Sequence, residues 1–334
     1  MGSADAANRN RTLVVTRPGG TEVLEVHDGP VPDPGPGEVV VGVAAAGVNF
    51  IDVYQREGIY NIPTPFVLGA ELAGHVVAVG SGVTEVEVGQ LVATADARGA
   101  MADFSVALAD RVVPVPDYLE AEVAAAAMLQ GMTAHYLTTS TYSVEPDDEV
   151  LIHAAAGGVG QLLVQLAKAR GAHVVATVGS AAKQAIAKEL GADAVLRYDE
   201  IDGTDALAAA IRDASHGGVH VAYDGVGKAT FEASFSSLRP RGMLALFGGA
   251  SGQVPPFDLQ RLNSGGSLFV TRPTLKHYIA DRAELLWRAE EVLGAIADGE
   301  LQVEIGGRYP LTDAASAYAD LEGRHSTGKL LLVP

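Results

Sequence analysis

Val150-Leu151-Ile152-His153-Ala154-Ala155-Ala156-Gly157-Gly158-Val159-Gly160 runs from an apolar strand through a small-residue turn into an amphipathic helix. In that setting a glycine-rich turn brings backbone N–H groups and a helix N-terminus up to a pyrophosphate. Against the pattern G-x-G-x-x-G, Ala155 stands at the first glycine, and Gly157 and Gly160 fill the other two positions. A turn of this kind also serves tight strand–helix packing, so its surroundings carry the argument. From residue 149 the chain alternates strand and helix. Strands are expected over 150–154, 173–177, 194–198, 219–224, 243–247 and 267–271, and helices over 160–170, 181–190, 204–214 and 229–238. Six buried-looking strands joined by crossovers predict a parallel, doubly wound sheet.

Upstream, 120–129 and 130–140 predict two successive helices. Earlier still, 30–37 is a Pro- and Gly-rich rigid loop, and 38–45, 75–79 and 90–94 predict short strands of a small barrel-like β domain. Downstream, 282–298 predicts a long helix, 311–322 another, and 329–333 a closing strand that returns to the first domain. The expected division is 1–128 with 273–334 as one domain and 129–272 as the other.

Composition narrows the function. The 334 residues contain no cysteine, which excludes disulfides, thiolate catalysis, iron–sulfur clusters and zinc sites built on Cys. Acidic residues outnumber basic ones 41 to 23, a net charge of −18, which argues against a nucleic-acid partner. No stretch approaches the roughly 18 apolar residues of a membrane span. Met1-Gly2-Ser3-Ala4-Asp5-Ala6-Ala7-Asn8 lacks an apolar segment, so a tail rather than a signal peptide is expected, and a cytoplasmic location with it.

The end of the second strand, Ala176-Thr177-Val178-Gly179-Ser180-Ala181-Ala182-Lys183, bears on the cofactor. NAD sites place a carboxylate about 20 residues beyond the glycines, on the ribose 2′-OH. None stands here. Ser180 offers a hydrogen bond and Lys183 a positive charge to a 2′-phosphate, which points to NADPH. The competing reading of Lys183 is a solvated helix-face lysine. Tyr198 is open between stacking on adenine and an ordinary half-buried strand position. His153 is expected to be a buried strand histidine, and Asp224 a strand-end residue rather than a general base.

Beyond the glycine turn, Ala44-Ala45-Ala46-Gly47-Val48-Asn49-Phe50-Ile51-Asp52-Val53-Tyr54, Leu68-Gly69-Ala70-Glu71-Leu72-Ala73-Gly74, Gln130-Gly131-Met132-Thr133, Tyr223-Asp224-Gly225-Val226-Gly227, Val270-Thr271-Arg272-Pro273 and Leu330-Leu331-Leu332-Val333-Pro334 carry a resemblance. From Leu13 to the C-terminus the chain resembles the medium-chain dehydrogenase/reductase superfamily, and within it the zinc-free, zeta-crystallin-like NADPH:quinone oxidoreductases. The fold this implies is α/β, a GroES-like β-barrel domain plus a doubly wound parallel-sheet Rossmann domain. Zinc-dependent members have Gly-His-Glu where this chain has Gly69-Ala70-Glu71, so no catalytic metal is expected. Glu71 is expected to be a structural hydrogen-bonding residue.

The resemblance places Asn49, Tyr54 and Tyr60 beside the nicotinamide as catalytic candidates, with Asn49 also touching the cofactor. It gives Gln130, Thr133, Tyr136 and Arg324 to cofactor binding, beside Gly157, Gly158, Val159, Gly179, Ser180, Lys183 and Tyr198 from the turn and strand ends, and Phe247 and Gly248 stand at a strand end where such sheets bind ligands. Arg272 is open between a ligand and an ion pair across the domains. Without a metal, the hydride acceptor must already be electrophilic, as a quinone or an α,β-unsaturated carbonyl is. Quinone reduction by NADPH is the leading expectation. An enoyl-thioester or enone reductase with Tyr60 as proton donor is the alternative, and a non-catalytic nucleotide- or RNA-binding crystallin-like protein is a third. A homodimer through the edge strand Ser267-Leu268-Phe269-Val270-Thr271 is also implied.

Overall fold

In the computed structural model, which describes residues 9–324 and 326–334, the continuous apolar run around Leu151 becomes the centre of a fully parallel sheet. The N-terminal stretch expected to be a tail lies outside the described residues. The chain divides into two compact units, one running through Leu129 and resuming at Ile279–Pro334, the other Gln130–Tyr278.

The second unit holds six parallel strands in the order Ala194–Arg197, His173–Val178, Glu149–His153, Val219–Asp224, Leu238–Leu246, Phe269–Thr271. Val150, Leu151, Ile152, Val221 and Ala222 are fully buried, as strands covered on both faces require. Helix Gly158–Ala169 buries Leu162, Leu163, Val164 and Ala167, and Thr204–Ala214 buries Leu207 and Ile211 with Phe231 and Phe235. The fifth strand begins at Leu238 rather than 243, with a register irregularity opposite Val219 and Val221. The helix expected over 229–238 is correspondingly short, Phe231–Ser236.

The two successive helices expected upstream are a single helix, Ala121–Tyr136, followed by a π-helical turn, Leu137–Thr141. Gly131 does not interrupt it. The end loosens because Thr138 Oγ1 donates to Ala134 O at 2.9 Å and Thr139 Oγ1 to His135 O at 2.7 Å, drawing the last carbonyls away from the regular ladder.

The first unit is built on a seven-stranded sheet. Its strand Glu38–Gly47 pairs antiparallel with Leu72–Val79, Phe104–Leu108 and Lys329–Val333. Leu24–Pro30, Arg9–Val15 and Phe66–Val67 form a second, smaller sheet. Pro30, expected in the rigid loop, instead ends an edge strand, a position that proline tolerates. Val39, Val41, Leu68, Leu72, Val76, Val92, Met101, Leu330 and Leu332 make the core. Strand Ile305–Pro310, parallel to Lys329–Val333, was not foreseen, because Gly306, Gly307 and Pro310 obscure any β signal. The helix expected over 311–322 opens with a 3₁₀ turn, Leu311–Asp313, before Ala314–Glu322.

Candidate functional site

Parallel strands all point the same way, so the segments that follow them share one edge of the sheet. On that edge of the second unit lie the glycine turn after Glu149–His153, Gly179-Ser180 after His173–Val178, Tyr198 after Ala194–Arg197, and Phe247-Gly248 after Leu238–Leu246. Ligands of open α/β sheets bind at this edge.

Ala154 turns the chain with φ +51°, and Gly157 caps helix Gly158–Ala169 with no side-chain cap bond. The first N–H groups of a helix have no intrahelical acceptor. Those of Gly158 and Val159 therefore lie at a positive dipole end with no cap from Gly157. A Cβ at Gly158 would overlap the Gln130 amide, so glycine is required where that side chain packs on the turn. This cradle fits a pyrophosphate. Ser180 caps helix Ala181–Glu189, its Oγ accepting from Lys183 N at 3.3 Å, which leaves its hydroxyl proton to donate. The Tyr198 phenol covers the Cα of Gly179.

Beneath this edge runs a buried Asp-Ser-His chain. Asp224 accepts from the N–H groups of Val226 and Gly227 at 2.9 Å, and from the hydroxyls of Thr230 and Ser234 at 2.8 Å. Because Ser234 donates to Asp224, it accepts from His153 Nε2 at 2.9 Å, and His153 Nδ1 accepts from Thr177 at 2.7 Å. Burial lowers the His153 pKa against the pull of Asp224, and keeps the ring neutral. The Ser234 proton faces the carboxylate, not the imidazole. The arrangement therefore braces strand ends and cannot activate a nucleophile.

In the first unit the candidates gather around helix Phe50–Arg56. Asn49 sits at its start and is 4% exposed; its Nδ2 donates to Gly47 O at 3.1 Å and to Glu71 Oε2 at 2.8 Å. Asn49 Oδ1 accepts from Lys329 Nζ at 2.7 Å, and the same ammonium lies 2.5 Å from Glu71 Oε2. Glu71 Oε1 accepts from Leu129 N at 2.6 Å. A Cβ at Gly47 would overlap Glu71 Oε2, so the network needs glycine beside it. Both N–H donors of Asn49 are thus held internally. Tyr54 and Tyr60 meet edge to face at 5.8 Å, with Tyr60 exposed. One residue of the helix stands out electrostatically. Burial pushes the Asp52 carboxyl up to about 7, although Asn49 N and the Tyr318 hydroxyl donate to its Oδ2. Its Oδ1 has no hydrogen-bond partner.

Not every sequence candidate faces solvent. Thr133 is buried, and Tyr136 is 1% exposed with its ring stacked on Tyr278 at 4.2 Å. Arg324 is exposed at the end of helix Ala314–Glu322, with φ +57°. Arg272 Nη1 lies 3.5 Å from Pro273 O. Lys329 is the residue that sequence reasoning missed. Lysine in a closing strand gave only one signal, a cation flanked by a run of leucines where a solvated one would be out of place.

With this geometry in view, comparison with known proteins is informative. Residues 35–117 match the family described as alcohol dehydrogenase GroES-like domain, and 158–283 that described as zinc-binding dehydrogenase. The chain is 42% identical over 319 residues to a quinone oxidoreductase of Pseudomonas aeruginosa, covering 95% of this chain and 97% of that one. It is 38% identical over 330 residues to a 2-haloacrylate reductase of a Burkholderia species, covering 96% and 98%. The crystal structure of Escherichia coli quinone oxidoreductase complexed with NADPH superposes with a TM-score of 0.94 at 41% identity, covering 97% and 100%.

Proposed function

This chain belongs to the zinc-free quinone oxidoreductases of the medium-chain dehydrogenase/reductase family, and from that premise we propose that it reduces quinones with NADPH and without a catalytic metal. The observation that carries the reading is the sheet edge shared by the helix N-terminus at Gly158 and the turn Gly179-Ser180, with no carboxylate in the stretch 176–183 that leads to Lys183. NADPH, when bound, supplies the hydride. The N–H groups of Gly158 and Val159 hold the pyrophosphate. The Ser180 hydroxyl and Lys183 ammonium take the 2′-phosphate, and Tyr198 lies against the adenine. Gln130, Thr133, Phe247 and Gly248 complete the cofactor contacts, and Arg324 adds a cation. Tyr136, closed off by Tyr278, acts through packing rather than touch.

The first unit supplies substrate contacts. The Tyr54 and Tyr60 phenols donate hydrogen bonds to the quinone oxygens, where charge grows on reduction, one proton from solvent completes the hydroquinone, and their rings offer flat walls. Asn49, held by Glu71 and Lys329, positions the helix that carries Tyr54. A quinone suits a site of this kind because its reduction yields an aromatic hydroquinone without a Lewis acid. The chain pairs with a second copy through strand Phe269–Thr271, the open edge of its sheet, where Phe269 is 55% and Val270 37% exposed. No helix among the described residues is long and apolar enough to cross a membrane. The enzyme works in the cytoplasm without a nucleic-acid partner.

The test is NADPH oxidation against 1,4-benzoquinone, 9,10-phenanthrenequinone and crotonyl-CoA. Turnover of the quinones alone supports the proposal. Faster turnover of crotonyl-CoA would move the enzyme to double-bond reduction, the chemistry suggested by the name of its 2-haloacrylate reductase relative. Silence on all three would refute both.

A further inference from the structure

The opposite edge of the parallel sheet, where its strands begin, carries a second cluster of chemistry. Glu149 opens the first strand and His173 the second, and the parallel register pairs the two residues. His216 lies in the turn before strand Val219–Asp224. It holds φ +50°, a left-handed conformation, and is followed by Gly217 and Gly218 at φ +109° and +143°. Helix Thr204–Ala214 closes here, Gly217 N donating to Arg212 O at 2.8 Å, and the left-handed residue belongs to that helix end. The His216 imidazole lies against Glu149. Glu149 Oε2 lies 2.7 Å from His173 Nδ1, and Glu149 Oε1 lies 2.7 Å from His216 Nδ1. One donor atom from each residue falls within 4.8 Å of the others.

We propose that Glu149, His173 and His216 bind one divalent transition-metal ion of the zinc class, remote from the proposed cofactor edge. Two imidazole nitrogens and a carboxylate oxygen are a recurrent zinc donor set, and nitrogen donors select against Mg²⁺ and Ca²⁺. The ion takes the place of the two ring protons that now bridge to Glu149, each ring moving to its Nε2–H tautomer. At tetrahedral metal–ligand bonds of about 2.0–2.2 Å the donor atoms stand about 3.3–3.6 Å apart, so the two 2.7 Å separations open by about 0.6–0.9 Å. The His216 side chain is 72% exposed, so its rotation accommodates this, and the solvent side leaves room for water ligands. Glu149 is held from behind, its N–H donating to His220 Nδ1 at 2.8 Å. Asp148 near His220 adds negative charge, and Arg239 against His220 opposes it. The net charge of −18 favours cations over the whole chain. A bound ion would tie together two strand starts and the turn before a third.

The experiment is calorimetric titration of Zn²⁺ into chelator-treated, tag-free full-length protein, with Co²⁺ absorption as a second readout. The site predicts one ion per chain with micromolar or tighter affinity, and visible Co²⁺ d–d bands. Binding should weaken at least tenfold in His216→Ala, in the milder His216→Gln and in Glu149→Gln. NADPH oxidation by His216→Ala should match that of the native chain, which confirms that the variant folds. Absence of saturable binding overturns the proposal, as does native affinity in His216→Ala and Glu149→Gln. Since binding is read directly, the result stands whether or not quinones prove to be substrates.

Discussion

Replacing Lys329 by methionine keeps the length and packing of a buried side chain while deleting its charge. Lys329 and Glu71 are 1% and 0% exposed, and Nζ lies 2.5 Å from Glu71 Oε2 and 2.7 Å from Asn49 Oδ1. Removing one partner of a buried pair leaves an uncompensated charge, at a cost of about 3–5 kcal/mol. Glu71 would retain the Leu129 N–H and the Asn49 amide, which places the loss toward the lower end. At roughly 2–4 °C per kcal/mol for a unit of this size, the midpoint for the first unit should fall by about 6–12 °C. Lys329→Met with Glu71→Gln removes both charges, and should regain more than half of that fall. Differential scanning calorimetry of the native, single and double variants reads this directly. A single variant within about 2 °C of the native protein would refute the account of the network. A double variant no better than the single would refute it equally.

Three further outcomes are expected. An acid whose folded pKa is raised from 3.8 to about 7 binds a proton on folding in that window, so the stability it contributes falls as pH rises through it. Asp52→Asn should therefore gain on the native protein by about 2–3 kcal/mol between pH 5 and pH 8 in urea unfolding; a constant difference would contradict this. Lys183→Ala should weaken NADPH by about 10–100-fold and leave NADH nearly unchanged, as measured by fluorescence titration; equal losses would remove Lys183 from the 2′-phosphate. Val270→Lys should place a charge at the open sheet edge and shift the chain from dimer to monomer in light-scattering chromatography, whereas an unmoved mass would exclude that edge as the interface.

The second unit was legible because parallel strands buried on both faces read as continuous apolar runs, and the glycine turn marks where the first of them ends. Helix ends were less so. Nothing in Gln130-Gly131 announces that the helix continues through it, and the hydroxyl-to-carbonyl bonds of Thr138 and Thr139 at its end are local, four residues back, with no periodic signature. The first-unit network was legible only in halves. Asn49 and Glu71 stood in quotable motifs, but Lys329 comes from the far end of the chain and meets them only because strand Lys329–Val333 pairs with Glu38–Gly47. The stacking of Tyr136 on Tyr278 likewise depends on packing between segments distant in sequence, which periodicity does not encode. The Glu149–His173–His216 cluster was invisible for the same reason. Its members become neighbours through parallel pairing and one left-handed turn.

The most direct test of the central claim is the stoichiometry of anaerobic NADPH oxidation with 9,10-phenanthrenequinone, measured with and without a strong chelator. The account predicts one hydroquinone formed per NADPH consumed, at a rate that the chelator leaves unchanged. Loss of turnover on chelation, or NADPH consumption without hydroquinone, would contradict it.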